Sequence, residues 1–388
     1  MSRIDYDTLV ITAPGLERVT QYELAKLGVV PSEAPEPGAI PVVAAAKMLY
    51  TMNLNLRTAS RITVRLTAFH ARSFAELERR AKAVSWDEWL GKEIRVRLRV
   101  TCRKSRLYHS DAVAERIASA IVGRTNARID TDDDEGEGQL ILVRLLRDEC
   151  TIRIDSSGDN LHRRGYRQAV AKAPLRETLA AAMVMGAEWA SDAPLIDPFC
   201  GSGTIPIEAA LIARNIAPGI QRSFACMQWP SFSEKVWRQV VDNARAAEQP
   251  RNAAPILGAD RDQGAIDAAH ANAVRAGVAD YIEFKCQPLS ALTPPATPGW
   301  LVTNPPYGVR VGERDRLRDL YATLGRLARD RLHDWHVALL SAHPALEAQL
   351  AVPLAEVFRT TNGGINVRLV HRLPIRPDSS QGSNHRVR

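Results

Sequence analysis

The stretch "LIDPFCGSGTIPIEAA", residues 195–210, decides how the second half of this 388-residue chain is read. Its first residues are apolar and end on Asp197, as a buried strand would. A turn holding Gly201 and Gly203 follows, then an apolar run at helical spacing in which Pro206 falls in the tolerant first turn. The pattern is strand, sharp turn, helix. Glycines accept positive φ and let a ligand come close to the backbone. The helix start beyond them aims free N–H groups at whatever sits there. The turn is neither the G-x-G-x-x-G dinucleotide fingerprint nor a P-loop, because no Gly-Lys-Ser/Thr follows.

Working outward, strands and helices alternate. A helix over 175–189 precedes the stretch. Strands are expected in "APILGAD" (254–260), "YIEFKC" (281–286), "WLVTNPP" (300–306) and "HVALLSA" (336–342). Helices are expected over 263–277, ending at Gly277, and over 315–332. The run 355–373 reads as a hairpin turning at Asn362-Gly363-Gly364. This is a mostly parallel, doubly wound α/β sheet. The tail 375–388 has nothing to pack and is expected to be disordered.

Asp260 ends a strand at the place where a carboxylate can accept both hydroxyls of a ribose. It would serve equally as a cap for the following helix, a role open also to Asp262. A glycine turn with a strand-end acid suits an adenosyl group without choosing between a nicotinamide cofactor and S-adenosylmethionine. The spacing from Gly203 to Asp260 is long, and an insertion around "GIQRSFACMQWPSFSEKVW" (219–237) accounts for it.

A second unusual stretch is "TNPPYGV", 303–309. It ends the next parallel strand and so faces the same crevice. An exocyclic base amine is a poor nucleophile, because its lone pair is delocalised into the ring. Two acceptors on its hydrogens favour the attacking form. The Asn304 side-chain oxygen and the Pro305 carbonyl can be those acceptors, and Pro305 and Pro306 stiffen the turn that carries them. Tyr307 offers a face on which a flipped base can stack. A plain loop breaker is the bland alternative.

The first half is α+β. "DTLVITA" is a strand, and "GLERVTQYELAKLG" is a helix with its C-cap at Gly28. "KEIRVRLRVTC" (92–102) alternates as a half-buried strand with Arg95, Arg97 and Arg99 outward, and Ser110 caps the helix that follows. "LILVRLLR" and "ECTIRIDSS" form an antiparallel pair. The acidic run Asp132–Glu135 reads as a solvated loop tip. The composition is that of a globular protein, 45% apolar and 24% charged, with net charge +7. A basic balance permits a polyanionic partner without requiring one. The five cysteines are dispersed with no CxxC spacing, which argues against a disulfide framework and a zinc site. No run is long enough for a membrane span and the N-terminus is unlike a signal peptide, so a cytoplasmic location is expected.

At these residues the chain resembles the class I S-adenosylmethionine-dependent RNA methyltransferases that carry a THUMP domain, most of all their guanine-N2 branch, which includes the bacterial 23S ribosomal RNA enzymes. "DPFCGSGTIPIEAA" and "TNPPYG" with Arg310 match the cofactor and catalytic motifs, "LHRRGYR" and "APLRETLAAA" the linker and first helix, and "NLNLRTASRI" with "SFAEL" the start of the THUMP region. The resemblance implies a ferredoxin-like region over 1–60, THUMP over 61–158, a linker over 159–174 and a Rossmann-like seven-stranded methyltransferase domain over 175–374. It implies S-adenosyl-L-methionine held by Asp197, Pro198, Phe199, Cys200, Gly201, Ser202, Gly203, Thr204, Asp260 and Asn304. Gln287 stands where the family has an acid near the adenine. Asn304, Pro305, Pro306 and Tyr307 would hold the target base. Structured RNA is the implied partner, met by Arg103, Lys104, Arg106, Arg163, Arg164, Arg167 and Arg310, and no metal is implied.

The implied reaction is formation of N2-methylguanosine in 23S ribosomal RNA. Transfer RNA is the first alternative substrate. An adenine-N6 DNA methyltransferase shares the Asn-Pro-Pro-Tyr turn but not the THUMP-like front. A non-catalytic RNA-binding factor would need neither turn.

Overall fold

The computed structural model describes residues 5–91, 93–130, 138–168, 175–250, 254–295, 297–307 and 314–372, so Arg310, the acidic run and the tail lie outside the described residues. Two compact units emerge. One comprises Met1–Gly165 with Asn215–Glu248, and the other Tyr166–Arg214 with Gln249–Arg388.

The first unit is built on β1 (Asp5–Thr12), β2 (Ala39–Ala45), β3 (Ala59–His70), β4 (Arg95–Arg103), β5 (Arg128–Asp130), β6 (Gln139–Leu146) and β7 (Glu149–Asp155). They form a single sheet in the order β2-β1-β3-β7-β6-β4-β5. The long strand β3 makes this possible: its first half pairs with β1 and its second half with β7, with a bulge between Arg65 and Thr67. β4 departs from simple alternation. Arg97, expected on the outer row, is buried beside buried Val96, in the stretch where β4 pairs with β5 on one edge and β6 on the other. Ser110 is the first residue of helix Ser110–Thr125 rather than its cap, and its hydroxyl turns to Asp111 Oδ1 at 3.4 Å.

The expected insertion belongs to this unit. Phe224, Cys226, Trp229 and Val240 share one apolar core with residues such as Leu54, Leu56 and Ile154. Gly219 brings the chain in: its N–H donates to the Leu54 carbonyl at 2.9 Å, and a Cβ there would lie 2.7 Å from the Phe224 ring. Trp229 packs edge-on against Trp89 and donates through Nε1 to Gln139 Oε1 at 2.9 Å. Arg222 donates to the carbonyls of Ser157, Asp159, Asn160 and Arg163.

The second unit carries β8 (Leu195–Asp197), β9 (Ile256–Asp260), β10 (Ile282–Cys286), β11 (Trp300–Thr303), β12 (His336–Ser341), β13 (Ala355–Asn362) and β14 (Ile365–Arg372). Their order is β10-β9-β8-β11-β12-β14-β13. All pairs from β10 to β12 are parallel, while β14 runs antiparallel between β12 and β13. The β13–β14 turn uses Gly363 and Gly364 at φ +56° and +83°, the primed geometry that suits a right-twisted hairpin. Strand order reverses between β8 and β11, and that switch point is where open α/β sheets take ligands.

Trp229→Ala should cost the first unit about 3–5 kcal/mol by opening a cavity. Trp229→Phe should cost less, about 1–3 kcal/mol, mostly from the unmet Gln139 oxygen. Urea unfolding followed by circular dichroism checks both, and equal losses for the two variants would contradict the packing account.

Candidate active site

Asp197, Asp260 and Asn304 lie at the carboxyl ends of parallel strands β8, β9 and β11, or one residue beyond. Parallel pairing aligns Leu195 with Trp300 and with Ile256, so the three ends fall side by side. They are also bonded to one another. Thr303 Oγ1 donates to Asp197 Oδ1 at 2.6 Å, and the Phe199 N–H donates to the same oxygen at 3.1 Å. The Gly201 N–H donates to Asp260 Oδ2 at 3.0 Å, and the Cys200 N–H to the Ala259 carbonyl at 2.9 Å.

Asp262 caps the helix Gln263–Ala276, accepting from the N–H groups of Gly264 and Ala265. Asp260 is thereby spared that task. Its two oxygens each accept one backbone N–H, from Gly201 and Asp262, and each keeps a lone pair for a further donor. Gln287 sits beside it, its N–H donating to the Asp260 carbonyl at 2.8 Å.

Pro198, Cys200, Gly203 and Thr204 are buried, and Phe199, Gly201 and Ser202 half-buried. Gly203, at φ +82°, has no room for a side chain: a Cβ would lie 3.0 Å from Ala269 Cβ and 3.1 Å from the Phe284 ring. At Gly201, φ +50°, a Cβ would meet nothing within 4 Å. The loop is therefore closed behind Gly203 and open in front of Gly201. Helix Thr204–Ala213 starts directly behind it.

Electrostatics follow from burial. Asp197 is 1% exposed, and loss of hydration pushes its carboxyl up to about 7, opposed by the bonds from Thr303 and Phe199 and reinforced weakly by Asp260. Burial, then the two carboxylates, push the Cys200 thiol far up, so it is no thiolate nucleophile. Burial likewise raises the Tyr307 phenol, opposed by the Asn362 side chain on the hairpin. That phenol is bonded to Asn304 Oδ1. Pro305 is buried and Pro306 exposed, and the Tyr321 hydroxyl reaches the Pro306 carbonyl at 3.5 Å.

Residues 164–371 match the RMKL-like methyltransferase domain, residues 7–63 the RlmL ferredoxin-like domain, and residues 71–155 the THUMP domain. The chain belongs to the RMKL-like methyltransferase family. It is 34% identical over 92% of its length to slr0064 of Synechocystis, whose name marks it provisionally as an RNA methyltransferase, covering 94% of that protein. It is 35% identical to the ribosomal RNA large subunit methyltransferase K/L of Syntrophotalea carbinolica over 93% of this chain. It spans about half, 52%, of that larger protein. Among solved structures, SMU.472 complexed with SAH (S-adenosylhomocysteine) superposes with a TM-score of 0.87 at 29% identity, covering 97% of this chain and 100% of that one.

In this RMKL-like methyltransferase, sequence reasoning passed over several supporting residues. Thr303 is a polar residue closing an otherwise apolar strand, a signal legible beside Asn304. Asn272 is fully buried in helix Gln263–Ala276 and donates through Nδ2 to the Ser202 carbonyl at 3.0 Å. Its place on the apolar face with Ala269, Ala273 and Ala276 marks it out. Two arginines expected to meet phosphate are turned inward instead. Arg164, 3% exposed, donates to the carbonyls of Leu161 and Arg57. Arg167 donates to Thr204 Oγ1 and the Leu175 carbonyl, both at 2.6 Å, and lies 3.4 Å from buried Glu177. Arg103, Lys104, Arg106 and Arg163 are exposed.

The Asp197 shift has a stability consequence. The folded state holds this proton up to about pH 7, while the unfolded chain releases it near 3.8. Stability from this group is fullest below the unfolded value and declines as pH rises toward 7. Asp197→Asn, which keeps the oxygen that accepts from Thr303, should lack that decline. Urea melts at several pH values between about 4.5 and 7.5 should show the variant gaining on the wild type as pH rises; parallel curves would refute the shift.

Proposed function

We propose that this chain, an S-adenosylmethionine-dependent RNA methyltransferase, forms N2-methylguanosine in 23S ribosomal RNA in the cytoplasm. The observation that carries the reading is the bond between Thr303 and Asp197, which ties the donor-side loop and the Asn-Pro-Pro-Tyr turn to one crevice. The residues present fit the cofactor. The open front of Gly201, the helix start behind it and the spare lone pairs of Asp260 suit a methionine carboxylate and a ribose. Bound there, S-adenosylmethionine supplies an electrophilic methyl group. The roles of Asp197 to Thr204, Asp260 and Gln287 as its contacts are part of this proposal.

Asn304 Oδ1 and the Pro305 carbonyl orient the target amine by accepting its hydrogens. The Tyr307 hydroxyl donates to Asn304 Oδ1, so an arriving amine takes that bond over as the ring swings to stack on the base. The Asn362 side chain, from the hairpin, already bonds this hydroxyl and remains its partner when the amine arrives. Arg103, Lys104, Arg106 and Arg163 contact phosphates, setting position rather than sequence. Guanine and 23S RNA are supported by the motif resemblance and by the name of the K/L relative. The THUMP match weighs against a DNA adenine substrate.

Asn304→Ala should lower methyl transfer by about a hundredfold or more while leaving binding of S-adenosylhomocysteine and RNA near wild type. Radiolabelled methyl transfer and calorimetry check the two halves. Mass mapping of nucleosides from a deletion strain should show one N2-methylguanosine missing from 23S RNA. Its absence from transfer RNA instead would move the substrate, and no lost methyl group anywhere would refute the activity.

A further inference from the structure

The connection from β4 to helix Ser110–Thr125, "RKSRLYHS", holds an unusual surface. Tyr108 is 68% exposed, and its neighbour His109 is exposed as well. Their rings lie 4.1 Å apart, tilted by 40°. The other strongly exposed tyrosine, Tyr22, has the Lys26 ammonium over its face at 4.5 Å. The Tyr108 ring is flanked instead by the His109 ring.

The loop that presents this pair is held firmly. The Arg106 N–H donates to Asp148 Oδ1 at 2.7 Å. The Asp148 N–H donates to Ser105 Oγ at 3.0 Å, and that hydroxyl donates to the Arg103 carbonyl at 3.0 Å. The Arg147 N–H adds a bond to the same carbonyl, tying the loop to the β6–β7 turn. Leu107 is buried directly before the pair, and the His109 carbonyl accepts from Val113 directly after it. An apolar ring fixed in water on a braced backbone gains nothing for folding. The bracing does lower the entropy lost when a flat partner settles on the ring.

The surroundings name that partner. Arg103, Lys104 and Arg106 are exposed on the same loop, and Arg72 is exposed beside Asp148. An aromatic face among cations matches a nucleotide whose base is free to stack and whose phosphates need neutralising. Paired bases hide their faces in the helical stack, so only a loop, bulge or end of RNA fits.

We propose that Tyr108, backed by His109, is a stacking platform for one unpaired base of the RNA substrate, with Arg103, Lys104 and Arg106 taking the phosphates on either side. This rests on the RNA-methyltransferase reading and adds to it a preference for unpaired RNA that lies outside the catalytic crevice's own residues.

The test uses the full chain and two fluorescein-labelled RNA hairpins, each closed by a non-nucleotide linker so that the loop offers no unpaired base, one blunt and one with a short unpaired tail, in anisotropy titrations at several salt concentrations. Tyr108→Ala should weaken binding of the tailed hairpin roughly ten- to a hundredfold, the range of a lost base stack. The blunt hairpin and the salt slope should stay unchanged, because no phosphate contact is removed. Tyr108→Trp should restore the tailed hairpin, and its fluorescence should be quenched on binding. Reversing Arg103 and Lys104 to Glu should weaken both hairpins and flatten the salt slope. Unchanged binding by Tyr108→Ala, or equal loss on both hairpins, overturns the platform while the wild type and the charge reversal still report RNA binding. If the wild type binds neither hairpin at any salt concentration, the RNA reading falls with it.

Discussion

The hydroxyl of Thr303 donating to Asp197 is the bond on which the second unit's chemistry depends. A sheet whose strand order reverses opens a crevice beyond the carboxyl ends of β8 and β11, and a separate loop leaves each of those ends. Without a tie between their first residues, their separation would follow only from strand pairing two residues back. The tie has a second effect. It lowers the cost of ionising a carboxyl that burial otherwise keeps protonated, so the geometry and charge of the crevice are set by one short contact. Gly201 and Asp260 repeat the device on the other side, and β8's loop is thereby held from both neighbours.

The local motifs were legible because their information is local. A glycine turn, a strand-end acid, two prolines after an asparagine and a hairpin at Gly363-Gly364 each declare themselves within a few residues. Helix ends at Gly28 and Gly277 belong to the same kind, and both take positive φ. The choice between Asp260 and Asp262 as helix cap was less legible. Both are acids near a helix start, and only the backbone shows that Asp262 accepts from the helix N–H groups.

What the sequence concealed is tertiary. Composition presents Arg164 and Arg167 as a basic run with Arg163, yet two of the three point inward, to backbone carbonyls and the Thr204 hydroxyl. Arg97 sits in an alternating strand whose period says outward, and its tertiary surroundings bury it all the same. Strand order in either sheet has no local sign. Nor does the shared length of β3, which lets one strand pair antiparallel with both β1 and β7.

The placement of residues 215–248 bears on how the molecule is made. Part of the first unit's core, including Phe224, Cys226 and Trp229, is encoded after β8 and the glycine loop of the second unit. A nascent chain therefore emerges with all seven strands of its leading sheet but with that sheet's core incomplete, and the core must wait for a segment synthesised some fifty residues later, roughly a few seconds at ordinary elongation rates. A fragment cut at the first unit boundary would expose the apolar wall that this segment covers. Dissecting the protein into working halves requires carrying the late segment back to the early body.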